Sequence, residues 1–587
     1  MKNKELYNKV MQLNGLTNEE KSELLGLLRK QKKYGLVWED KPEDVEERLR
    51  DELPILVEDT SKAIISDDAD ALNHILIEGD NLEALTALAY THEGKIDVIY
   101  IDPPYNTGNK DFVYNDRYVD SEDSYRHSKW LSFMSRRLRI AKQLLSDKGV
   151  IFISIDDNEQ AQLKLLCDEI FGQENFVANL IWQKKKGGGN DSRFVATEHE
   201  YVSAYAKNTR ELPNIFIPYG KEYAARYKEE DKIGRFFWDT FKRKSGKQYY
   251  QIECPDGTIL EKEENGEPIS WLRSKPRFLS DLEQGETRII KVNGKWTVHF
   301  KQRQPEGYKP RSIMADVGTT SSGADILKEL FNITNLFNNP KPVDLIQFLI
   351  KFGSNDDTIL DFFAGSGTTL HATMQLNAED GGHRKCILVT NNENNICEEV
   401  TYERNKRVIN GYTTPKGEEV PGLTGNTLRY YRTSFVGRSR SMKNMRQMMT
   451  LSTDMLCIKE DLYTEQPKFG EQQTYKNVFR YFDNGKKRMM IIYKEEAVPL
   501  LVDLIQKTDY EGMMRVYVFS PSEDPWEGEF EEVQDKVQLC ALPQAIYNAY
   551  RRILPKKKDE LIASDDTKTT HQEDMLNGML NFDEEEE

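Results

Sequence analysis

The sequence predicts an α/β fold with a largely parallel sheet. Short apolar runs alternate with longer amphipathic helical patterns over residues 73–183, and the alternation resumes over 313–414 after a break. Two of the apolar runs end in polar strings that contain Asp-Pro-Pro-Tyr and Gly-Ser-Gly. Such alternation is typical of strand–helix–strand units, whose strands hold ligands at their carboxyl ends.

The composition of the 587-residue chain is that of a soluble globular protein with several domains. Charged residues make up 30% and hydrophobic residues 38%, which excludes a disordered chain and a small disulfide scaffold. The net charge of −17 excludes a general polyanion binder, so any contact with nucleic acid must use a locally basic surface.

The cysteine pattern and the length of the apolar stretches indicate the cellular compartment of the protein. The six cysteines form no Cys-x-x-Cys pair and no cluster with zinc-like spacing, so we predict reduced thiols and no metal site. The sequence begins without an apolar signal core, and no stretch approaches the ~18 apolar residues of a membrane span. We therefore expect a cytoplasmic protein that does not bind a membrane.

We predict an N-terminal helical segment over residues 1–72, with most of 3–58 in helices. Thr17 and Glu20 form a capping-box pattern, and leucines follow at helical spacing. The string Tyr34-Gly-Leu-Val-Trp38 predicts a packed turn.

The two halves of the sheet are predicted over 73–183 and 313–414. In the first half we expect strands at 74–78, 96–101 and 150–155, and helices at 81–89, 130–145 and 158–171. In the second half we expect strands at 358–363 and 386–390, and helices at 343–351 and 368–377.

Between these halves, residues 184–312 predict an inserted region. Residues 181–310 contain 25 Lys and Arg against 19 Asp and Glu, a local positive excess in an acidic chain. Ordinary surface variation is the alternative explanation for this excess. Within it, Glu198-His-Glu200 is interpreted as a solvated or hydrogen-bonded cluster rather than a metal site.

Residues 415–587 predict a small C-terminal α+β domain. Strands are expected at 477–481 and 488–493, joined by a hairpin at Asn484-Gly485. The acidic end, 583–587, is expected to be a solvated tail.

The most informative string is Ile101-Asp-Pro-Pro-Tyr-Asn-Thr-Gly108, at the end of a predicted strand. Two consecutive prolines fix the backbone and remove two N–H donors. A carboxylate, carbonyl oxygens and an aromatic ring remain, which suits a planar substrate with an exocyclic amino group. A Pro-Pro turn with Asp102 as a local cap is the alternative.

The second string, Asp361-Phe-Phe-Ala-Gly-Ser-Gly367, joins a predicted strand to a helix. Its glycines permit a tight turn and close approach of a ligand to the backbone. Thr368 stands where a P-loop has lysine, so binding of a nucleoside triphosphate is disfavoured. A plain strand-to-helix turn is the alternative. Asp80, after the first strand, is a ligand acceptor or a helix cap.

Together these strings resemble the amino-methylating DNA methyltransferases that use S-adenosylmethionine. Asp102 to Tyr105 is similar to their catalytic motif, and Asp361 to Gly367 to their cofactor motif. The catalytic motif precedes a variable region and then the cofactor motif, which is the permuted, beta-type order. The resemblance covers about 73–412. The Tyr34 to Trp38 segment and the extension from Asp102 to Gly108 look most like the modification (Mod) subunit of Type III restriction–modification systems.

The resemblance implies a Rossmann-like methyltransferase sheet in permuted order, and a role for each residue of the catalytic motif. Asp102 and the carbonyl of Pro103 would accept the N–H bonds of adenine N6, which favours an available nitrogen lone pair. Pro104 belongs to the same rigid turn, and Tyr105 would stack on the base. Positioning and charge stabilisation then carry the reaction, without a metal.

For S-adenosylmethionine, the resemblance implies contacts near both ends of the cofactor. The backbone of the turn would hold the methionine part, with Asp361 near its amino group and Lys341 near that end. Asp80, followed by Asn81, would meet the adenine ring. Thr390 and Glu393 are both candidates for the ribose contact. The residues of the turn are Phe363, Ala364, Gly365, Ser366 and Gly367.

A base inside a duplex cannot reach Asp102, so the resemblance implies that the target base is flipped out. Region 184–312 then becomes a target-recognition domain, followed by the cofactor half of the core. The implied partners are double-stranded DNA, a second copy of the chain and a separate restriction (Res) subunit.

Three alternatives remain open. Cytosine-N4 methylation uses the same acceptor geometry, although that group tends to carry Ser where this chain has Asp102. Methylation of RNA or protein amines is disfavoured by the motif order. A non-catalytic DNA-binding subunit would bind DNA without consuming S-adenosylmethionine.

Overall fold

The computed structural model describes residues 36–554 apart from 116, 188–193, 218, 220, 245–246, 521–525 and 543. The helices predicted around Thr17 and the acidic end at 583–587 lie outside the described residues. The chain forms two compact units. Residues 214–311 make up one, and the described residues on either side make up the other.

The larger unit is built on a mixed sheet of ten strands among its described residues. In chain order the strands are β1 (Glu52–Glu58), β2 (Leu72–Glu78), β3 (Ile96–Ile101), β4 (Leu145–Ile155), β5 (Phe176–Gln183), β6 (His199–Ala206), β7 (Ile313–Met314), β8 (Thr358–Asp361), β9 (Lys385–Thr390) and β10 (Asn426–Gly437). Their order across the sheet is β1-β10-β2-β9-β8-β3-β4-β6-β5-β7.

The central strands, β10-β2-β9-β8-β3-β4, are all parallel. They are short apolar runs, and Ile99 and Ile101 of β3 are completely buried. Continuous apolar runs are typical of parallel strands that are covered on both faces. The predicted α/β fold is therefore confirmed.

The helices of the larger unit follow the predicted alternation. Every strand and helix predicted within 73–183 and 313–414 is present, with ends shifted by five residues or fewer. The helices are Asp44–Asp51, Asn81–His92, Arg126–Leu144, Gln160–Phe171, Thr320–Phe331, Val343–Ile350, Thr368–Asp380, Glu403–Asn410, Met442–Glu460, Val498–Lys507 and Gln544–Arg551. No helix among the described residues is long and apolar enough to cross a membrane.

The two halves of the predicted core join within one sheet. β8 pairs with β3 in parallel, with Ile359 opposite Val98 and Leu360 opposite Ile99. The end of the cofactor string therefore lies beside the start of the catalytic string, although the inserted region separates them in sequence.

The helical prediction for 3–58 is wrong at its end, because Glu52–Glu58 is strand β1. This strand pairs antiparallel with β10 at one edge of the sheet. Pro54 is tolerated there since an edge strand does not need every N–H group. The neighbouring Leu53 and Ile55 are buried in the main core.

The unit of residues 214–311 contains a four-stranded antiparallel sheet with the order Thr287–Val292, Lys295–Arg303, Gly234–Thr240, Glu229–Asp231. Phe241, Trp271 and Phe300 pack in its core with the helix Lys275–Glu283. The predicted insertion began at 184, whereas the described residues of 184–213 belong to the larger unit and contribute β6 to its sheet.

The C-terminal region has the predicted α+β character. Its five-stranded sheet has the order Glu465–Gln466, Phe479–Asp483, Arg488–Ile492, Met514–Phe519, Val537–Leu542. The predicted hairpin at Asn484-Gly485 is confirmed, since Asp483 pairs with Arg488. The prediction placed the start of this region at 415, but β10 belongs to the main sheet and Met448 and Met455 join its core.

Candidate active site

Three of the predicted polar positions lie at the carboxyl ends of neighbouring parallel strands. Asp102 follows β3, Asp361 ends β8, and Asp80 lies two residues past β2. The strands β2, β9, β8 and β3 are consecutive in the sheet. From β3 the chain continues to β4 on one side, and from β8 to β9 on the other. This edge is a topological switch point, where α/β sheets bind their ligands.

Asp102 belongs to a hydrogen-bonded group that we call the Lys341 cluster, formed by Asp102, Tyr105, Glu200 and Lys341. Lys341 Nζ lies 3.0 Å from Asp102 Oδ1 and 3.3 Å from Glu200 Oε2, and donates to Tyr105 Oη at 2.9 Å. The Tyr105 hydroxyl lies 2.8 Å from Asp102 Oδ1 and 3.0 Å from Glu200 Oε2. Its single hydrogen therefore reaches one carboxylate at a time.

The members of the cluster differ in exposure. The side chain of Lys341 is 8% exposed and that of Glu200 9%, whereas that of Asp102 is 28% exposed. Asp102 is therefore the carboxylate that a ligand can reach most easily.

Burial and the neighbouring charges together shift the pKa values of the ionisable groups in the cluster. Burial raises the pKa of Asp102, although Lys341 acts in the opposite direction. Burial also acts to raise the pKa of Glu200, but Lys341 and Lys184 together hold that pKa below its usual value. Burial alone would lower the pKa of Lys341, which the two carboxylates instead raise. Burial thus favours the neutral form of Asp102, whereas the two lysines favour the charged form of Glu200.

The catalytic string is anchored at its second proline and two residues beyond it. The indole Nε1 of buried Trp130 donates to the carbonyl of Pro104 at 2.7 Å. Asn106 adopts a left-handed backbone, with φ 59°, and its Nδ2 donates to Glu159 Oε1 at 2.5 Å. These anchors and the proline rings fix the path of the chain through Pro103 and Tyr105.

The cofactor string forms a tight turn after β8. Gly365 and Gly367 have φ of 49° and 73°, in the region that favours glycine. The buried Asp361 accepts hydrogen bonds from the Phe363 N–H at 3.0 Å and the Thr369 hydroxyl at 2.6 Å. Burial raises the pKa of Asp361 to about 7.

The far side of this turn is held by residues that sequence reasoning missed. Thr401 Oγ1 donates to the Gly365 carbonyl at 2.6 Å. The buried Arg404 donates to Ser366 Oγ at 3.1 Å and to Thr368 Oγ1 at 2.8 Å. Both residues follow β9 in sequence, where nothing in the residue pattern links them to the turn.

Asp80 caps the helix Asn81–His92, which is one of the two roles predicted for it. Its Oδ1 accepts from the Leu82 N–H at 2.7 Å, and its Oδ2 lies 3.7 Å from the guanidinium of Arg137. Asn81 Nδ2 donates to the Phe362 carbonyl at 3.1 Å, which ties this helix to the cofactor string. Asp80 is partly exposed and retains free acceptor capacity.

Lys341 has a contact that sequence reasoning did not predict, because its ammonium lies beside Asp102. Its expected contact near the methionine end of the cofactor stays a prediction. Its backbone carbonyl accepts from Thr368 Oγ1 at 3.4 Å, so Lys341 also touches the cofactor string. Glu200, expected in a solvated or hydrogen-bonded cluster, is buried and hydrogen-bonded beside it.

The described residues contain no group of three or more His, Cys, Asp or Glu side chains arranged to hold a metal ion. Of the two residues considered for the ribose contact, Thr390 is buried and accepts the Gly79 N–H at 3.0 Å through its carbonyl. Glu393 is exposed. The ribose contact stays a prediction.

An α/β sheet with carboxylates at its switch point belongs to a broad class of ligand-binding folds, and comparison with known proteins identifies the family within this class. The family of DNA methylases known as N6_N4_Mtase matches residues 96–410, more than half of the chain. The chain belongs to this family.

Three curated relatives are similar to the chain. The Type III restriction-modification enzyme StyLTI Mod subunit of Salmonella typhimurium is 36% identical over 57% of this chain and 55% of its own length. The EcoPI Mod subunit of Escherichia phage P1 is 36% identical over 54% of this chain and 58% of its own length. The Type II methyltransferase M.KpnI of Klebsiella pneumoniae is 33% identical over 59% of this chain and 87% of its own length. The chain thus spans little more than half of the two Mod subunits.

Proposed function

We propose that this protein is a sequence-specific DNA methyltransferase that transfers a methyl group from S-adenosylmethionine to adenine N6. The observation that carries the proposal is the position of Asp102 and Asp361 at the carboxyl ends of adjacent strands, β3 and β8. One carboxylate can hold an amine to be methylated while the other holds the amino end of the methyl donor. Membership of the DNA methylase family supports this pairing.

The residues at the cofactor turn fit S-adenosylmethionine. A Cβ on Gly365 would crowd Phe337 Cζ at 3.1 Å, and the φ of 49° also favours glycine at this position. Asp361 would accept from the amino group of the cofactor, and Phe363 and the backbone from Ala364 to Gly367 would enclose its methionine part. Asp80 and Asn81 would meet the adenine ring. When bound, S-adenosylmethionine supplies a methyl group on a positively charged sulfur.

At the target base, side chains and backbone of this protein position the amine and accept the proton that it loses. Asp102 and the carbonyl of Pro103 accept the two N–H bonds, which favours a pyramidal nitrogen with a free lone pair. Tyr105 stacks on the base, with its hydroxyl held by the Lys341 cluster. Asp102 then takes the proton that the amine loses as it gains the methyl group. Positioning and charge stabilisation supply most of the rate.

The compact unit of residues 214–311 is the proposed centre of target recognition, within the wider region 184–312. The positive excess of this part of the chain suits contact with phosphates, and its polar side chains suit base edges. The target base has to leave the duplex to reach Asp102.

The wider system that we propose is a Type III restriction–modification system. Two relatives carry the name of its Mod subunit, and this chain would act as such a subunit on double-stranded DNA. It would work as a homodimer beside a separate Res subunit, and the C-terminal region would serve dimerisation or partner docking.

Methyl transfer to DNA tests the proposal. The purified chain is mixed with S-adenosylmethionine labelled in the methyl group and unmethylated genomic DNA, and label in the recovered DNA is counted. We expect transfer by the wild type and by Asp147→Ala, and none by Asp102→Ala. Asp147 is a suitable control because it is exposed at the amino end of β4, far along the strand from its carboxyl end. DNA binding without transfer by the wild type would instead favour a non-catalytic subunit.

A further inference from the structure

Glu200 has no part in the reaction as proposed, yet it lies inside the Lys341 cluster. We propose that Glu200 is a positioning residue of the active site, which shares Lys341 with Asp102 and so leaves the Asp102 carboxylate free to hold the target amine. This inference rests on the proposed function of Asp102, and it assigns a role to a residue outside both motifs.

The backbone holds Glu200 rigidly at this place. It lies in β6, opposite Trp182 of β5 in an antiparallel pair. The indole of Trp182 is fixed in turn, because its Nε1 donates to the Gly318 carbonyl at 2.9 Å. The Lys341 ammonium lies 5.6 Å from the centre of the Trp182 ring, within the range of a cation–π contact. Trp182 and Glu200 thus form one wall around the ammonium.

The N–H donors of the Lys341 ammonium match its acceptors in number. An ammonium has three N–H donors, and Lys341 has three acceptors in Asp102, Tyr105 and Glu200. Without Glu200, the whole charge of Lys341 would fall on Asp102 and draw its carboxylate into a closed ion pair. A carboxylate held in such a pair is a weaker acceptor for the N–H bonds of a substrate and for its proton.

A second lysine completes the charge balance. Lys184 Nζ lies 3.0 Å from Glu200 Oε1, on the other oxygen from the one that faces Lys341. Two carboxylates and two ammonium groups therefore compensate each other in a mostly buried site, where an unpaired charge is costly. Glu200 has two cations beside it and Asp102 has one, so the charged form is favoured more strongly at Glu200 than at Asp102.

The pH dependence follows from the groups around the two carboxylates. The negative charge of Glu200 acts to raise the pKa of Asp102, and Lys341 acts to lower it. Loss of Glu200 should therefore lower the pKa of Asp102. The other titratable groups that interact with these carboxylates are Tyr100, Tyr105, Asp156, Lys184 and Asp361.

The test compares Glu200→Gln with the control Glu198→Gln in the full-length protein. Glu198 lies two residues away, and its carboxylate accepts from Gln183 rather than from the cluster. Steady-state kinetics are measured from pH 5 to 9 with DNA in excess. For Glu200→Gln we expect kcat to fall about tenfold, less than the loss of a general acid or base would cause because Glu200 acts through Lys341, with KM for S-adenosylmethionine within about twofold. The acidic limb of the kcat profile should move to lower pH. Glu198→Gln should match the wild type.

Two comparisons keep the outcome decisive. Glu200→Asp keeps the charge on a shorter side chain, so we expect a smaller fall in kcat and an unchanged acidic limb. If Glu200→Gln does not fold, the kinetics of Glu200→Asp test the inference instead. A wild-type kcat in Glu200→Asp would then overturn it. Wild-type kinetics of a folded Glu200→Gln, with Asp102→Ala inactive, would overturn the role of Glu200 alone. Activity of Asp102→Ala would instead overturn the proposed function.

Discussion

The Lys341 ammonium lies 3.0 Å from the Asp102 carboxylate, although the two residues belong to different halves of the interrupted sheet. The backbone carbonyl of Lys341 also accepts a hydrogen bond from Thr368, the first residue of the helix after the cofactor turn. Lys341 therefore connects the catalytic string to the cofactor string. This connection exists only in the folded chain, since the inserted unit of residues 214–311 lies between the two in sequence.

Replacement of Lys341 by methionine should damage catalysis and shift its pH profile. Lys341 acts to lower the pKa of Asp102, so its loss should raise that pKa. Below the raised pKa, Asp102 is protonated and cannot take the proton of the amine, and the acidic limb moves to higher pH. We expect kcat to fall about 100-fold, as for loss of a preorganised electrostatic contact. Lys328→Met, on an exposed face of the helix Thr320–Phe331, is the control. An unchanged acidic limb would contradict the pairing of Lys341 with Asp102.

Gly367→Ala should weaken binding of the cofactor. A Cβ there would lie 2.6 Å from Asn405 Nδ2 and 3.0 Å from Thr401 Cγ2, at a φ of 73°. Gly381 offers a matched control, because it has the same φ of 73° and no atom within 4 Å of a Cβ. We expect Kd for S-adenosylmethionine, measured by calorimetry, to rise at least tenfold in Gly367→Ala and to stay near the wild type in Gly381→Ala. Equal effects would mean that backbone strain alone is responsible.

The ionisation of Asp361 should control the affinity for S-adenosylmethionine near neutral pH. Burial raises its pKa to about 7, so the carboxyl is mostly protonated at pH 6 and mostly ionised at pH 8. Only the ionised form attracts the ammonium of the ligand. We expect Kd of the wild type to fall several-fold between these values, while Asp361→Asn binds weakly with little pH dependence. The same slope in both proteins would place the titrating group elsewhere.

Arg137→Met should reduce stability more than a surface change on the same helix. Arg137 is buried, and its Nη1 donates to both oxygens of Glu43 at 2.8 and 3.0 Å. Its removal leaves Glu43 buried without its cation, at a cost of about 3–5 kcal/mol. Arg139→Met, at an exposed site of the helix Arg126–Leu144, should cost less than about 1 kcal/mol. The double change Arg137→Met with Glu43→Gln should recover part of the loss in urea unfolding.

Local patterns were enough to predict the central sheet and both polar strings. The run Ile96-Asp-Val-Ile-Tyr-Ile101 predicts strand β3 to the residue, because continuous apolar runs suit a covered parallel strand. The strings after such strands predict ligand positions, since parallel strands end at one edge of the sheet. The hairpin at Asn484-Gly485 was predictable because Gly485 accepts the positive φ of 81° that its turn adopts.

Long-range pairing explains what the sequence did not reveal. Glu200 reaches the site because β6 pairs antiparallel with both β4 and β5, and no local pattern near Glu200 encodes that register. Arg404 supports the cofactor turn from a helix that starts after β9. The strand at Glu52–Glu58 was missed because its partner, β10, lies far along the chain. In each case the partner, rather than the residue itself, determines the structure.

The identity of the methylated nucleoside tests the central claim most directly. Unmethylated genomic DNA is incubated with the purified protein and S-adenosylmethionine, digested to nucleosides and separated by liquid chromatography with mass spectrometry. We predict N6-methyladenine from the wild-type protein and none from Asp102→Ala. N4-methylcytosine as the product would contradict the assignment of adenine, and N6-methyladenine from Asp102→Ala would contradict the role of this carboxylate.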